Sequence, residues 1–144
     1  FALFVTAMTT ARWFGTGLLD RFGRVPVLWT TMALAGGGVL LLVLTDHPVL
    51  VGLGIALWGT GTSLGFPVGI SAASDDPVNA ATRLSVVSTL GYTAFLAGPP
   101  LLGFLADEVG TLNALLVVPA VLVPAAMAVP AARPTPDRAA RPLA

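Results

Sequence analysis

Apolar residues in this chain do not alternate with polar ones at a helical or strand period. They run in blocks. About residues 1–19, 25–44, 49–73, 84–106 and 112–129 are almost wholly apolar, and short stretches carrying turn residues and charges separate them, at 20–24, 46–48, 74–79 and 107–110. A helix needs about 20 apolar residues to cross the hydrocarbon of a bilayer. Each block meets that length and none has the polar face of a water-exposed helix. The pattern therefore predicts an all-α, polytopic membrane helix bundle of about five transmembrane helices over residues 1–132, with lipid as its solvent. A soluble bundle with buried helices is the competing architecture, and the missing polar faces count against it.

Polar residues inside the blocks differ from helix to helix. The first carries Thr6, Thr9, Thr10 and Arg12, the third Thr60, Thr62 and Ser63, and the fourth Ser85, Ser88, Thr89, Tyr92 and Thr93. The second has no polar side chain between Thr31 and Thr45, and the fifth none after Asn113. Polar groups at membrane depth need partners or water. The first, third and fourth helices are thus expected to be inner, with Thr9, Arg12, Thr62, Ser63, Ser88 and Tyr92 as candidate cavity-lining residues. The second and fifth are expected at the periphery. For any single Ser or Thr the plainer alternative is a bond to the carbonyl of the preceding turn. Arg12 likewise has two readings: it snorkels to headgroups beside Trp13, or it points inward along the face shared with Thr9 and Thr16.

Small residues and prolines suggest how the helices meet. Gly61, Gly65 and Gly69 recur every four residues, and Gly91, Ala94 and Gly98 line one face of the fourth helix, spacings that let backbones approach. Gly98, Pro99 and Pro100 are expected to kink the fourth helix, since two backbone donors are lost. Asp76 before Pro77, and Asp46 or His47 before Pro48, read as helix N-caps with proline at the first helical position. His47 is then a loop residue near a cap. Gly59-Thr60-Gly61 lacks the Lys and the preceding strand of a phosphate loop.

Composition sharpens this picture. Of 144 residues, 56% are hydrophobic and only 10% charged, too few charges to cover a water-facing surface. The mean hydropathy is +0.89. Formal net charge is zero, which excludes a basic footprint for nucleic acid. No cysteine is present, and no metal or cofactor site is expected. No H-E-x-x-H appears and the single His lies in a loop, so the chain does not read as an enzyme. All seven basic residues are arginine, as in GC-rich bacterial genomes. Arg12, Arg21 and Arg24 lie at or near the first link, Arg83 at the third, and Arg133, Arg138 and Arg141 in the tail. The second and fourth links have only Asp46, Asp107 and Glu108. By the excess of positive charge on the cytoplasmic side, the first and third links and the C-terminus face the cytoplasm of a bacterial inner (plasma) membrane. Residues 133–144, rich in Pro, Arg and Ala, are expected to form a disordered cytoplasmic tail. The apolar start, without a charged region or cleavage site, is expected to lie inside a longer protein rather than to be a signal peptide.

The first link reads Thr16-Gly17-Leu18-Leu19-Asp20-Arg21-Phe22-Gly23-Arg24-Val25. It resembles the signature loop of the major facilitator superfamily, roughly G-x-L-a-D-R-x-G-R-R. Asp20, Arg21, Gly23 and Arg24 match; Thr16 stands for the leading glycine and Val25 for the second basic residue. In that family the loop joins the second and third helices of each six-helix half, and is thought to latch the halves in one conformation. The resemblance implies that the five helices are the eighth to twelfth of twelve, an incomplete C-terminal half. It also implies peripheral second and fifth spans here. Gly98-Pro99-Pro100-Leu101-Leu102-Gly103 is similar to a G-P-x-x-x-G stretch of the eleventh helix. Arg12, within Thr9-Thr10-Ala11-Arg12-Trp13-Phe14-Gly15, is similar to the G-R-x-x-G of some sugar-permease-like and poorly characterised bacterial members. The implied function is secondary active transport of a small solute, its identity unknown, by alternating access. The partners would be the lipid bilayer and the missing N-terminal half. The alternative is a small non-transporting membrane scaffold or partner subunit.

Overall fold

A computed structural model of the chain describes residues 1–134, and every one of its regular elements is helical. Helix α1 (Ala2–Phe22) and α2 (Arg24–Leu44) are separated by one residue, Gly23. Its φ of 79° and ψ of 169° lie where only glycine sits without strain. Its amide donates to the Leu19 carbonyl at 2.9 Å, closing α1 in the same step that opens α2. A glycine with φ 88°, Gly110, makes the same one-residue turn between α5 (Ala80–Val109) and α6 (Thr111–Ala114). Between α2 and α3 (Pro48–Thr62) the Thr45 hydroxyl accepts from the His47 amide at 3.2 Å, and Pro48 starts the helix as its sequence suggests.

The third apolar block is two helices. After α3 come Ser63 and Leu64, then α4 (Gly65–Ala73). Pro67 explains the break. It has no N–H, so the carbonyl of Ser63, four residues back, has no helical donor. The fifth block is also divided, into α6 and α7 (Val117–Ala128), closed by a 3₁₀ turn, Val129–Ala132. Pro119 stands four residues after Leu115, whose carbonyl accepts instead from the Val118 amide at 2.9 Å, a tighter turn. In the fourth block, by contrast, α5 keeps its helical assignment through Pro99 and Pro100. The interruptions thus fall in the third and fifth blocks. The fourth helix also begins earlier than its apolar run. Asp76 and Pro77 form a turn, with Asp76 Oδ1 accepting from the Val78 amide at 3.1 Å, and Asn79 takes the cap position. The Asp76-Pro77 cap expected from sequence is therefore a turn three residues before the helix.

Four helical segments are long and apolar enough to cross a membrane: Arg24–Leu44, Pro48–Ala73, Ala80–Val109 and Thr111–Ala132. Helix α1, at 21 residues, equals α2 in length, but Arg12 and its threonines dilute the apolar run. Ten of the twelve residues expected in a disordered tail, 135–144, lie outside the described residues.

Glycine governs the packing. A Cβ on Gly38 of α2 would sit 2.5 Å from the Trp58 nitrogen, and one on Gly54 of α3 would sit 2.8 Å from the Gly38 carbonyl. A Cβ on Gly61 would overlap the backbone of Ala35 and Thr31. On another face of α3, a Cβ on Gly59 would come within 2.5 Å of the Phe4 carbonyl of α1, beside an edge-on Phe4–Trp58 ring contact at 5.0 Å. Helix α3 therefore lies backbone-close to both α1 and α2. Val27, Leu28, Leu64, Val68 and Val129 make the small core where α2, α4 and the last turn converge. Gly65 and Gly98, expected as packing positions, instead have nothing within 4 Å of an added Cβ. Within this chain alone, burial orders the helices differently from polarity. Helix α2 carries the most buried residues of any helix described and α5 carries none. The ranking followed polar side chains, whereas close approach here follows missing Cβ atoms.

Candidate functional site

The loop residues separate into two groups. Arg24, at the first position of α2, reaches across to the end of the third block. Its guanidinium forms a two-pronged ion pair with Asp75, Nη1 to Oδ2 and, at 3.1 Å, Nη2 to Oδ1. Nη2 also donates to Ser71 Oγ at 2.8 Å. The side chains are 14% and 2% exposed, so this pair is sheltered as surface pairs are not. Bidentate geometry suits the planar guanidinium and no lysine reproduces it. Gly23 makes it possible by placing Arg24 at once on a new helix. The bond also puts the α1–α2 and α4–α5 links at one end of the bundle, as an up-and-down order of helices requires.

Asp20 and Arg21 do not join this clamp. Asp20 is exposed in the last turn of α1 and makes no hydrogen bond or ion pair among the described residues. Arg21 lies over the Phe22 ring, 5.4 Å from its centroid. At the same end, Arg83 pairs with Asp76 at 3.3 Å on the surface. Asp76 is held below the usual carboxylate range, first by the Asn79 side-chain amide at 2.8 Å, and, against the opposing effect of burial, by the Val78 and Asn79 amides and the Arg83 charge.

Arg12 lies ten residues from either end of α1, about 15 Å at 1.5 Å per residue. Its Nε donates to the Ser63 carbonyl at 3.0 Å. That is the carbonyl Pro67 leaves without a helical donor. Ser63 itself is fully buried, and its hydroxyl donates to the Thr60 carbonyl at 2.6 Å. The arginine thus satisfies an acceptor that no water reaches. A partner for Arg12 therefore exists within this chain, although it is a backbone carbonyl and carries no full charge.

The remaining candidates are dispersed. Thr62 donates to the carbonyls of Trp58 and Gly59, both at 3.1 Å, a local bond of the plain kind. Thr9 is exposed on α1. Ser88 and Tyr92 line an open cavity of about 490 Å³ between α4 and α5, with Phe66, Ile70 and Phe95. A second, apolar crevice of about 440 Å³ opens between α1 and α2, floored by Thr60, Ser63 and Leu64. Among the described residues no group of acidic, His or Cys side chains is arranged to hold a metal.

Sequence reasoning missed Asp75, Ser71 and the role of Pro67. Asp75 was visible only as one of two adjacent acids in a link. The available signal was the apolar run before it, which places Asp75, unlike Asp76, within a turn of a buried helix end.

Broken apolar helices with a midpoint arginine and a buried clamp at one end define a polytopic membrane helix bundle. The chain belongs to the Major Facilitator Superfamily, whose family model matches residues 1–144. It is 31% identical over 108 residues to an uncharacterised MFS-type transporter of Yersinia pestis, covering 74% of this chain and 28% of that protein. It is 34% identical over 122 residues to the membrane protein MosC of Rhizobium meliloti, covering 84% and 30%. An uncharacterised transporter of Sinorhizobium fredii is 32% identical over 125 residues, covering 80% and 33%. The chain thus spans about a third of the length of these relatives. No solved structure matches it.

Proposed function

We propose that the chain is the incomplete C-terminal half, helices eight to twelve, of a secondary active transporter that moves a small solute by alternating access, and that it is not an enzyme. The observation that carries this reading is the Arg24–Asp75–Ser71 clamp. A signature-loop arginine ties the start of one helix to the end of another at one end of the bundle, where a latch between conformations has to act. The uncovered polar residues of α1 and α5 support the reading, since Thr9, Ser88 and Tyr92 then face a cavity completed by the missing half. The arginine distribution supports a bacterial inner membrane, with the clamp and the C-terminus on the cytoplasmic side.

The chain has no cysteine, so single thiols can be placed at will. In the full-length protein freed of other cysteines, Ser88→Cys is treated with a membrane-impermeant maleimide from each side. Alternating access predicts labelling from both sides and a changed ratio when Asp75→Asn opens the clamp. A ratio that Asp75→Asn leaves unmoved, or no labelling from either side, overturns the reading and favours a static scaffold.

A further inference from the structure

We infer that Arg12 holds the anionic group, a carboxylate or phosphate, of the transported solute. This inference rests on the transporter reading above and names the substrate class of its site.

The geometry starts from donors. A guanidinium has five N–H groups and no acceptor. Arg12 uses one, Nε–H, on the Ser63 carbonyl at 3.0 Å. That bond fixes the plane of the group against the α3–α4 break and leaves the Nη1–Nη2 edge, with four N–H donors, unused among the described residues. Arg12 is exposed as a residue although its acceptor is buried. It stands at the midpoint of α1, with Thr9 one turn before it and Thr16 one turn after on the same face.

Charge selects the ligand. Among the described residues the acids are Asp20, Asp46, Asp75, Asp76, Asp107 and Glu108, and all lie at helix ends or in links. None is at the depth of Arg12. The carbonyl supplies a dipole and leaves the full positive charge standing at the middle of a helix. A charge there is costly unless paired. An end-on guanidinium edge fits two oxygens of one planar or tetrahedral anion, and the tether to Ser63 means no side-chain search is needed when the anion arrives. A carboxylate of the missing half would have the same chemistry, so the test must separate the two sources.

The test uses the full-length protein in detergent. Thermal unfolding is followed with acetate, succinate, citrate and inorganic phosphate, and with glucose and tetramethylammonium as neutral and cationic counterparts. The expected result is stabilisation by at least one of the four anions. Its apparent affinity should fall at least tenfold in Arg12→Lys, which keeps the charge but loses the fork, and should be absent in Arg12→Gln. Protection by no anion overturns the inference. So does protection that Arg12→Lys leaves unchanged. Rescue of an unstable Arg12→Gln protein by neutralising an acid elsewhere in the full chain overturns it too, because the partner is then internal. None of these failures touches the transporter reading, which stands or falls on the two-sided labelling of Ser88→Cys.

Discussion

Pro67→Ala tests the link between the helix break and the midpoint arginine. The substitution returns an N–H to position 67, four residues after the Ser63 carbonyl. That carbonyl would then have a helical donor, and Arg12 Nε would compete for it. Single-variant stabilities mix several effects here. Removing Arg12 as Arg12→Met loses a charge-assisted bond of about 1.5–3 kcal/mol, but also removes a charge whose insertion at a helix centre costs about 2.5–3.5 kcal/mol. Pro67→Ala removes a proline that costs about 3 kcal/mol in a helix interior, although the break has already relieved part of that. The coupling between the two changes is cleaner. In the parent, Arg12→Met orphans a fully buried carbonyl; in the Pro67→Ala background it does not. The double-mutant cycle should therefore give a coupling of about 1.5–3 kcal/mol, with Arg12→Met less damaging once Pro67 is gone. Equilibrium denaturation in mixed micelles measures all four proteins. A coupling under about 0.5 kcal/mol, the range of independent sites, would refute the claim that Arg12 stands in for the proline's missing donor.

Further outcomes follow from the clamp, the packing and the surface turn. Asp75→Asn leaves Arg24 half-paired in a sheltered site and should cost about 3 kcal/mol of stability, whereas Asp20→Asn, exposed and unpaired among the described residues, should stay within about 0.5 kcal/mol yet slow transport in the full-length protein; both are read by denaturation beside an uptake assay. Gly61→Ala pushes a methyl into the Ala35 and Thr31 backbone and should destabilise by about 1–3 kcal/mol, while Gly65→Ala, in open space, should change stability by less than about 1 kcal/mol. Asp76 has a lowered pKa in the fold; its contribution is present above the ordinary value of 3.8 and is lost as pH falls through the lower folded value, so the stability gap between the parent and Asp76→Asn should close on the acid side alone.

Much of the architecture was legible because lipid imposes a simple rule. Apolar runs of bilayer length become helices, and the α2 span came within a residue of its sequence limits. Gly23 was legible as the turn because no other residue takes its backbone angles. What was not legible depended on pairs far apart in the chain. Arg24 and Asp75 are 51 residues apart, as are Arg12 and Ser63, and one-dimensional patterning has no means of joining them. The prolines differ in effect for a related reason. Pro99-Pro100 draws attention as a pair, but a proline's effect depends on what becomes of the carbonyl four residues earlier. At Pro67 that carbonyl is buried and engaged from another helix, and there the block divides. Burial within this chain orders the helices differently from polarity, because Ser and Thr side chains report on polarity while the closest contacts are made by residues with no side chain at all.

These observations converge on α4. One face of this nine-residue helix packs through Val68, with Leu64 at its cap, against Val27, Leu28 and Val129. Phe66 and Ile70 line the cavity toward α5, and Gly65 and Gly69 have open space beside them. Packing holds α4 through Val68 on one face and through Phe66, which lies against Gly91 of α5, on another. What fixes its two ends is polar: Arg12 of α1 on the Ser63 carbonyl just before it, and Arg24 of α2 on Ser71 and Asp75 at its close. Polar bonds of this kind depend on distance and angle more steeply than apolar contact does. Apolar faces slide with small loss, whereas a guanidinium bond is either made or broken. The two arginines stand on helices hinged at the single residue Gly23. A change in the angle between α1 and α2 must therefore strain one end of α4 against the other. The signature loop matters in this chain because it sets that angle and also supplies one of the two hands that hold α4.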